Sequence, residues 1–335
     1  MAESGSEAPA ADVAWSLAAT RSMFEHRAVA VGEDRDSLLA GTRALAAGRA
    51  HPGVVRPASP PAATGRKVWL FGGQIGRDAG SRKELYARFP AFAAAFDEVC
   101  AALEARLRHP VKEVALSGAD GAEPAADERA MSFASQVALA RLLESLGVRP
   151  DVVAGHATGE VAAAYVAGVF DLADAARLIA GEPGCAGELT LRRPRIPMVC
   201  ARTGEPDDER VATPDYWDGQ LHRPARLEIL GKGEGDRFLE LGHDPAVAAA
   251  PADALPGPPA PTVLSVLGTE GSAARALLHV LAEFHVAGTP VTWTALFDGV
   301  PPPRKVALPT YAFQSRSYWL RETDDAAPDD DLFHP

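Results

Sequence analysis

The run Val152, Val153, Ala154, Gly155 is apolar throughout, and after His156 and Ala157 the chain passes directly into the helical pattern TGEVAAAYVAG. A strand with one wet face alternates apolar and polar residues, so a short, wholly apolar run closed by glycine predicts a strand covered on both faces. A covered strand that turns at once into a helix opens a βα unit, and such units build parallel sheets. The signature recurs upstream, where KVWLF and the glycine turn GGQIG precede one long helical pattern, SRKELYARFPAFAAAFDEVCAALEARL. Downstream, RIPMVC, RFLELG and PTVLSVLG read as strands, while FASQVALARLLESLG, DLADAARLIAG, a start at TPDYWDGQL, and ARALLHVLAEFHVAG read as helices. The 335 residues, 47% hydrophobic and 23% charged, suffice for one large α/β domain and a small companion.

The companion precedes the main domain. Residues 1–11, rich in Ala, Ser, Glu and Pro, read as a disordered tail, and residues 12–27 carry Val13, Leu17, Met23 and Phe24 at helical spacing. RAVAVGED follows as a strand, then a second helix with Asp34 or Asp36 as N-cap. VVRPASPPAATGR is too rich in proline and glycine for a packed element and reads as a linker, which places a boundary near Gly65. PADALPGPPAP reads as an exposed loop, LPTYAFQSRSYWL as an extended aromatic segment, and residues 321–335 as an acidic tail.

A formal net charge of -12 argues against a nucleic-acid or anionic-membrane partner, since both require a positive surface. Cys100, Cys185 and Cys200 lie far apart, in no metal-ligand spacing, which suits a reducing cytoplasm and predicts neither metal nor cofactor. The N-terminus has no basic and apolar regions of a signal peptide, and no apolar run is long enough to cross a bilayer. The expectation is a soluble cytoplasmic protein.

The turn at 155–159 reads G-H-A-T-G, a G-x-S-x-G nucleophile elbow in all but one residue. In such an elbow the glycines let strand and helix crowd together, and the helix N-terminus stabilises an oxyanion. Ala157 stands where the serine belongs. The GGQIG run lacks the spacing of either nucleotide-binding glycine motif.

Together with WLFGGQ, FAAAFDEVCAAL, VALARLLESLGVRPDVVAGHATGEVAAAYVAGVFDLADAARL, RPRIPMVCARTGEP, PDYWDGQLHRPARL and LPTYAFQSRSYWL, this elbow resembles the acyltransferase domain of type I modular polyketide synthases over most of residues 12–320. The resemblance implies an α/β-hydrolase-like acyltransferase core with a parallel sheet. Residues 12–65 would be the linker from a ketosynthase, 66–300 a truncated acyltransferase-like domain and 301–320 the post-acyltransferase linker. In that family the elbow serine takes an acyl group from coenzyme A, a distant histidine is its base, and a carrier protein's thiol receives the group. By position the nucleophile would be Ala157, with Gln74 and the backbone after 157 as oxyanion contacts and His156 as the elbow histidine.

The departures accumulate. Ile75 replaces a glycine in the family's G-Q-G-S-Q loop. Only GEPGCAGELTLRRP lies between Ala180 and Arg195, which implies that the ferredoxin-like subdomain is deleted, and with it the catalytic histidine and the arginine that pairs with the extender carboxylate. The family's S-P-H-P reads GHDP, with His243 displaced by one and Asp244 at the histidine's place. One change could be an engineered knockout; this many point to lost chemistry. Thr158, Cys185 and Cys200 are the candidates for a relocated nucleophile, none with an evident partner, and His156, His222 and His243 read as structural or solvated. The expectation is a catalytically inactive pseudo-acyltransferase that docks a ketosynthase and an acyl carrier protein while a separate acyltransferase supplies the acyl group. The alternatives are an acyltransferase or hydrolase acting through a nucleophile other than serine, and a free-standing carrier-binding module.

Overall fold

The computed structural model of the chain describes residues 8–57, 65–73, 79–117, 125–200, 203–204, 206, 208–218, 236–242, 244, 247–249, 263–267, 271–298 and 303–309. Its N-terminal part comprises α1 (Ala10–Thr20), β1 (Val29–Ala30), α2 (Arg35–Ala46) and β2 (Val54–Val55), with β1 and β2 antiparallel. Of the two candidate N-caps the structure uses Asp34, whose carboxylate accepts from Ser37 N while the Ser37 hydroxyl pairs back with the Asp34 amide. Two expectations fail here. The first helix stops at Thr20 because Arg21 turns to extended backbone, which leaves Met23 and Phe24 at 52% and 63% exposure. The stretch read as linker begins with β2, whose Val55 packs on Ala282 and Val286.

The main sheet is entirely parallel. Strands β3 (Lys67–Phe71), β4 (Val152–Gly155), β5 (Met198–Val199), β6 (Arg237–Glu240) and β7 (Val263–Ser265) lie in the order β5-β4-β3-β6-β7. Side chains alternate across it: Val68, Leu70, Val152, Ala154 and Phe238 face one apolar cluster, and Trp69, Phe71, Val153 and Leu239 the other. Both faces are buried, which is why these strands read as continuous apolar runs.

The helices are α3 (Ala79–Arg88), α4 (Pro90–Leu107), α5 (Val111–Ser117), α6 (Ala125–Ser145), α7 (Thr158–Ala167), α8 (Leu172–Ala180), α9 (Pro214–Trp217) and α10 (Ala273–Val286). The helix read as single between β3 and β4 is broken at Pro90, which lacks an N–H and sits at the first position of α4.

From α8 the chain reaches β5 by a short path along residues 181–197. Arg177 of α8 pairs with Glu182 at 3.0 Å and with Glu188, and Asp174 accepts from Thr190 N at 2.8 Å. The amides of Arg192 and Arg195 then bond the carbonyls of Val169 and Ala167 at the end of α7. Residues 303–309 run along α1, where Asp12 accepts from Arg304 N, the Ser16 hydroxyl from Val306 N, and the Arg21 guanidinium donates to Leu308 O and Pro309 O.

Candidate functional site

Parallel pairing aligns Phe71 of β3 with Gly155 of β4, so the loops leaving both strands meet at one sheet edge. The turn from β4 into α7 consists of His156 and Ala157. Ala157 has φ 50° and ψ -120°, which lies outside even the left-handed helical region. A side-chain-bearing residue held there costs about 1–3 kcal/mol and persists only where its surroundings enforce it. Three bonds do so: His156 N to Phe71 O at 2.9 Å, Gly159 N to His156 O at 2.9 Å, and Glu160 N to Ala157 O at 3.0 Å. Gly159 permits the approach, since a Cβ there would stand 2.1 Å from Phe71 O.

Buried polar groups support the turn from below. Glu160, in the first turn of α7, is fully buried and accepts from the Tyr216 hydroxyl of α9. Burial, with Glu160 beside it, raises the Tyr216 phenol well above its ordinary value, so it remains a donor. The carbonyl of Gly72 accepts from the buried Gln136 amide of α6 at 2.7 Å, which fixes the loop after β3.

Above the turn lies a carboxylate. Asp244 Oδ2 accepts from Gly73 N at 3.0 Å and stands 3.5 Å from His156 Nδ1, an ion-pair separation longer than a good hydrogen bond. Asp244 raises the imidazole's pKa above its ordinary value, against the effect of burial. The Asp244 amide donates in turn to Glu240 Oε1 at 2.8 Å, and Ser265 to Glu240 Oε2 at 3.3 Å. Burial pushes the Glu240 carboxyl up to about 7.

His156, read from sequence as structural or solvated, therefore faces a carboxylate, though its Nδ1 makes no hydrogen bond of normal length. Ala157 occupies the elbow tip as expected. Gln74, Ile75, His222 and His243 lie outside the described residues. Thr158 is 3% exposed at the first position of α7, and Cys185 and Cys200 are buried, the Cys185 thiol pushed up by burial. Sequence reading missed the role of Asp244, taken only as a lost histidine, and missed Glu240 altogether. A lone carboxylate in the apolar strand RFLEL was the available signal. Among the described residues no cluster of ligating side chains could hold a metal, and no helix is long and apolar enough to cross a membrane.

A parallel sheet with a strand–elbow–helix at the carboxyl ends of its strands is the frame of α/β-hydrolase-like domains. The model of the acyl transferase domain matches residues 68–215, which include the elbow. The acyltransferase domain from the second module of the salinomycin polyketide synthase is 30% identical, covers 91% of each chain and superposes with a TM-score of 0.73. The chain belongs to the acyltransferase domains of polyketide synthases.

The spectinabilin polyketide synthase system protein NorC of Streptomyces orinoci is 38% identical over 323 residues, 92% of this chain and 14% of NorC. Polyketide synthase GfsA of Streptomyces halstedii is 32% identical over 418 residues, 94% of this chain and 6% of GfsA. The chain thus spans a small part of either relative. The GfsA alignment, at 418 positions, is longer than the 335 residues of this chain and so holds gaps in it, whereas the NorC alignment, at 323 positions, is shorter than the chain.

Proposed function

We propose that this domain is a pseudo-acyltransferase: it does not load acyl groups and serves as a structural and docking element for a ketosynthase and an acyl carrier protein. The observation that carries the reading is the Ala157 methyl at the tip of an elbow whose backbone is held in a strained conformation, φ 50° and ψ -120°. Acyl transfer through this scaffold needs an oxygen nucleophile and a base. Losing the nucleophile of a hydrolytic triad costs on the order of 10⁶ in rate, and the parts act as a unit. Thr158 and the thiols of Cys185 and Cys200 are enclosed in the protein, which argues against a relocated nucleophile. The short path from α8 to β5, and the excess length of the GfsA alignment over this chain, support a missing subdomain and with it a missing base. The packing of residues 303–309 on α1 supports retained linkers, and with them the docking role.

The test is intact-protein mass spectrometry after incubation with malonyl- and methylmalonyl-coenzyme A, on the native chain and on Ala157→Ser. The expected result is no adduct on the native chain and none on the variant. An adduct on the native chain, formed well above the rate in buffer, overturns the reading and points to acyl transfer or hydrolysis by another residue.

A further inference from the structure

The loop after β3 and the turn at Ala157 each bring one group that recognises an anion, and both face the chain's own carboxylate. Gly73 N–H donates to Asp244 Oδ2 at 3.0 Å, and His156 Nδ1 faces the same oxygen at 3.5 Å. The two lie close together at the tip, since a Cβ on Gly73 would be 3.3 Å from His156 Nδ1 and 3.2 Å from the Ala157 methyl. Asp244 is 9% exposed and tightly seated: a Cβ on Gly72 would fall 2.5 Å from Asp244 Cβ, and Glu240 holds its amide from below.

We infer that the degenerate site is a carboxylate-binding site whose resident ligand is Asp244, so that the imidazole and the Gly73 amide beside Ala157 are already engaged from within. The inference rests on the pseudo-acyltransferase reading and deepens it: the site has lost its nucleophile and has also acquired an internal occupant. The charged groups around it are Glu160 on α7, Glu240 on β6 and the imidazole itself, with Ser265 on β7 and Gln136 on α6 as neutral donors. The imidazole is the one group among these that can carry a positive charge, and an anion brought beside it would meet the Asp244 carboxylate already seated there. Removing the Asp244 side chain leaves the imidazole and the Gly73 amide facing a gap of carboxylate size, the arrangement that a free small carboxylate can refill.

The experiment uses the full chain with Asp244→Ala, Asp244→Asn and Asp244→Ala/His156→Ala. Melting temperatures are followed against sodium formate and sodium acetate, with sodium chloride at matched ionic strength. Asp244→Ala should melt lower than the native chain and recover at least half of that loss saturably with formate, while the native chain and the double variant respond as they do to chloride. An equal response of native chain and single variant overturns the inference. Should Asp244→Ala fail to fold, the isosteric Asp244→Asn serves. Its His156 ring resonances should titrate at lower pH than in the native chain, and an unchanged titration overturns the inference. Both readouts are independent of acyl transfer. A native chain that self-acylates would remove the pseudo-acyltransferase reading while leaving the formate and titration results to judge Asp244.

Discussion

Replacing Ala157 with glycine should stabilise this protein, the reverse of what the change does in most places. At φ 50° and ψ -120° the alanine backbone is strained by about 1–3 kcal/mol, and glycine adopts that conformation without a Cβ penalty. Against this stand the greater entropy of glycine in the unfolded chain, about 0.5–1 kcal/mol. Loss of a half-buried methyl costs about 0.4 kcal/mol more. The balance favours glycine by about 1 kcal/mol, or about 2 °C in Tm for a chain of this size. The control is Ala105→Gly on the exposed face of α4, where ordinary helix propensity predicts a loss of about 1 kcal/mol. Urea denaturation of both variants beside the native chain reads the two signs. If Ala157→Gly lowers the midpoint as far as Ala105→Gly does, the elbow is not strained and the reasoning from its backbone fails.

Gly159→Ala should be severe, because its Cβ would lie 2.1 Å from the Phe71 carbonyl oxygen with only backbone to move aside; a cost of about 3 kcal/mol or more, seen as a lower denaturation midpoint or insoluble expression, is expected. Glu240 predicts a pH dependence. Its carboxyl titrates near 4.5 when unfolded and about 7 when folded, so between those values the native state holds a proton that the unfolded state has released, and stability falls as pH rises. The size is on the order of 3 kcal/mol, and Glu240→Gln should flatten that part of a pH 4–8 stability profile. His156 acts in the same direction: its raised pKa contributes stability fully present below its ordinary 6.5 and lost as pH rises through the folded value.

The central sheet was legible because its strands are covered on both faces and so appear as unbroken apolar runs; Val152–Gly155 and Lys67–Phe71 need no other signal. The elbow was legible because its glycines are obligatory. Helix ends were less so: apolar spacing carried the first helix past Thr20, and the break at Pro90 was overridden by a pattern that stays apolar on both sides of it. The polar half of the site was hidden for a different reason. Asp244 lies 88 positions from His156, and only the parallel placement of β6 beside β3 brings them together. No local pattern encodes that meeting.

The path from α8 to β5 is tied down at both ends and packs Cys185, Ala186 and Leu189 into the core. Its near end is tied to α8 through Arg177 and Asp174, and its far end to the last carbonyls of α7 before β5 begins. Those anchors fix where the chain leaves the core and where it returns. Between them, a Cβ on Gly184 or Gly187 would meet nothing within 4 Å. The entropy of closing a loop grows only with the logarithm of its length, so an insertion at these exposed glycines would change the sheet's free energy little. A segment inserted there can be gained or lost without unfolding the sheet beneath it.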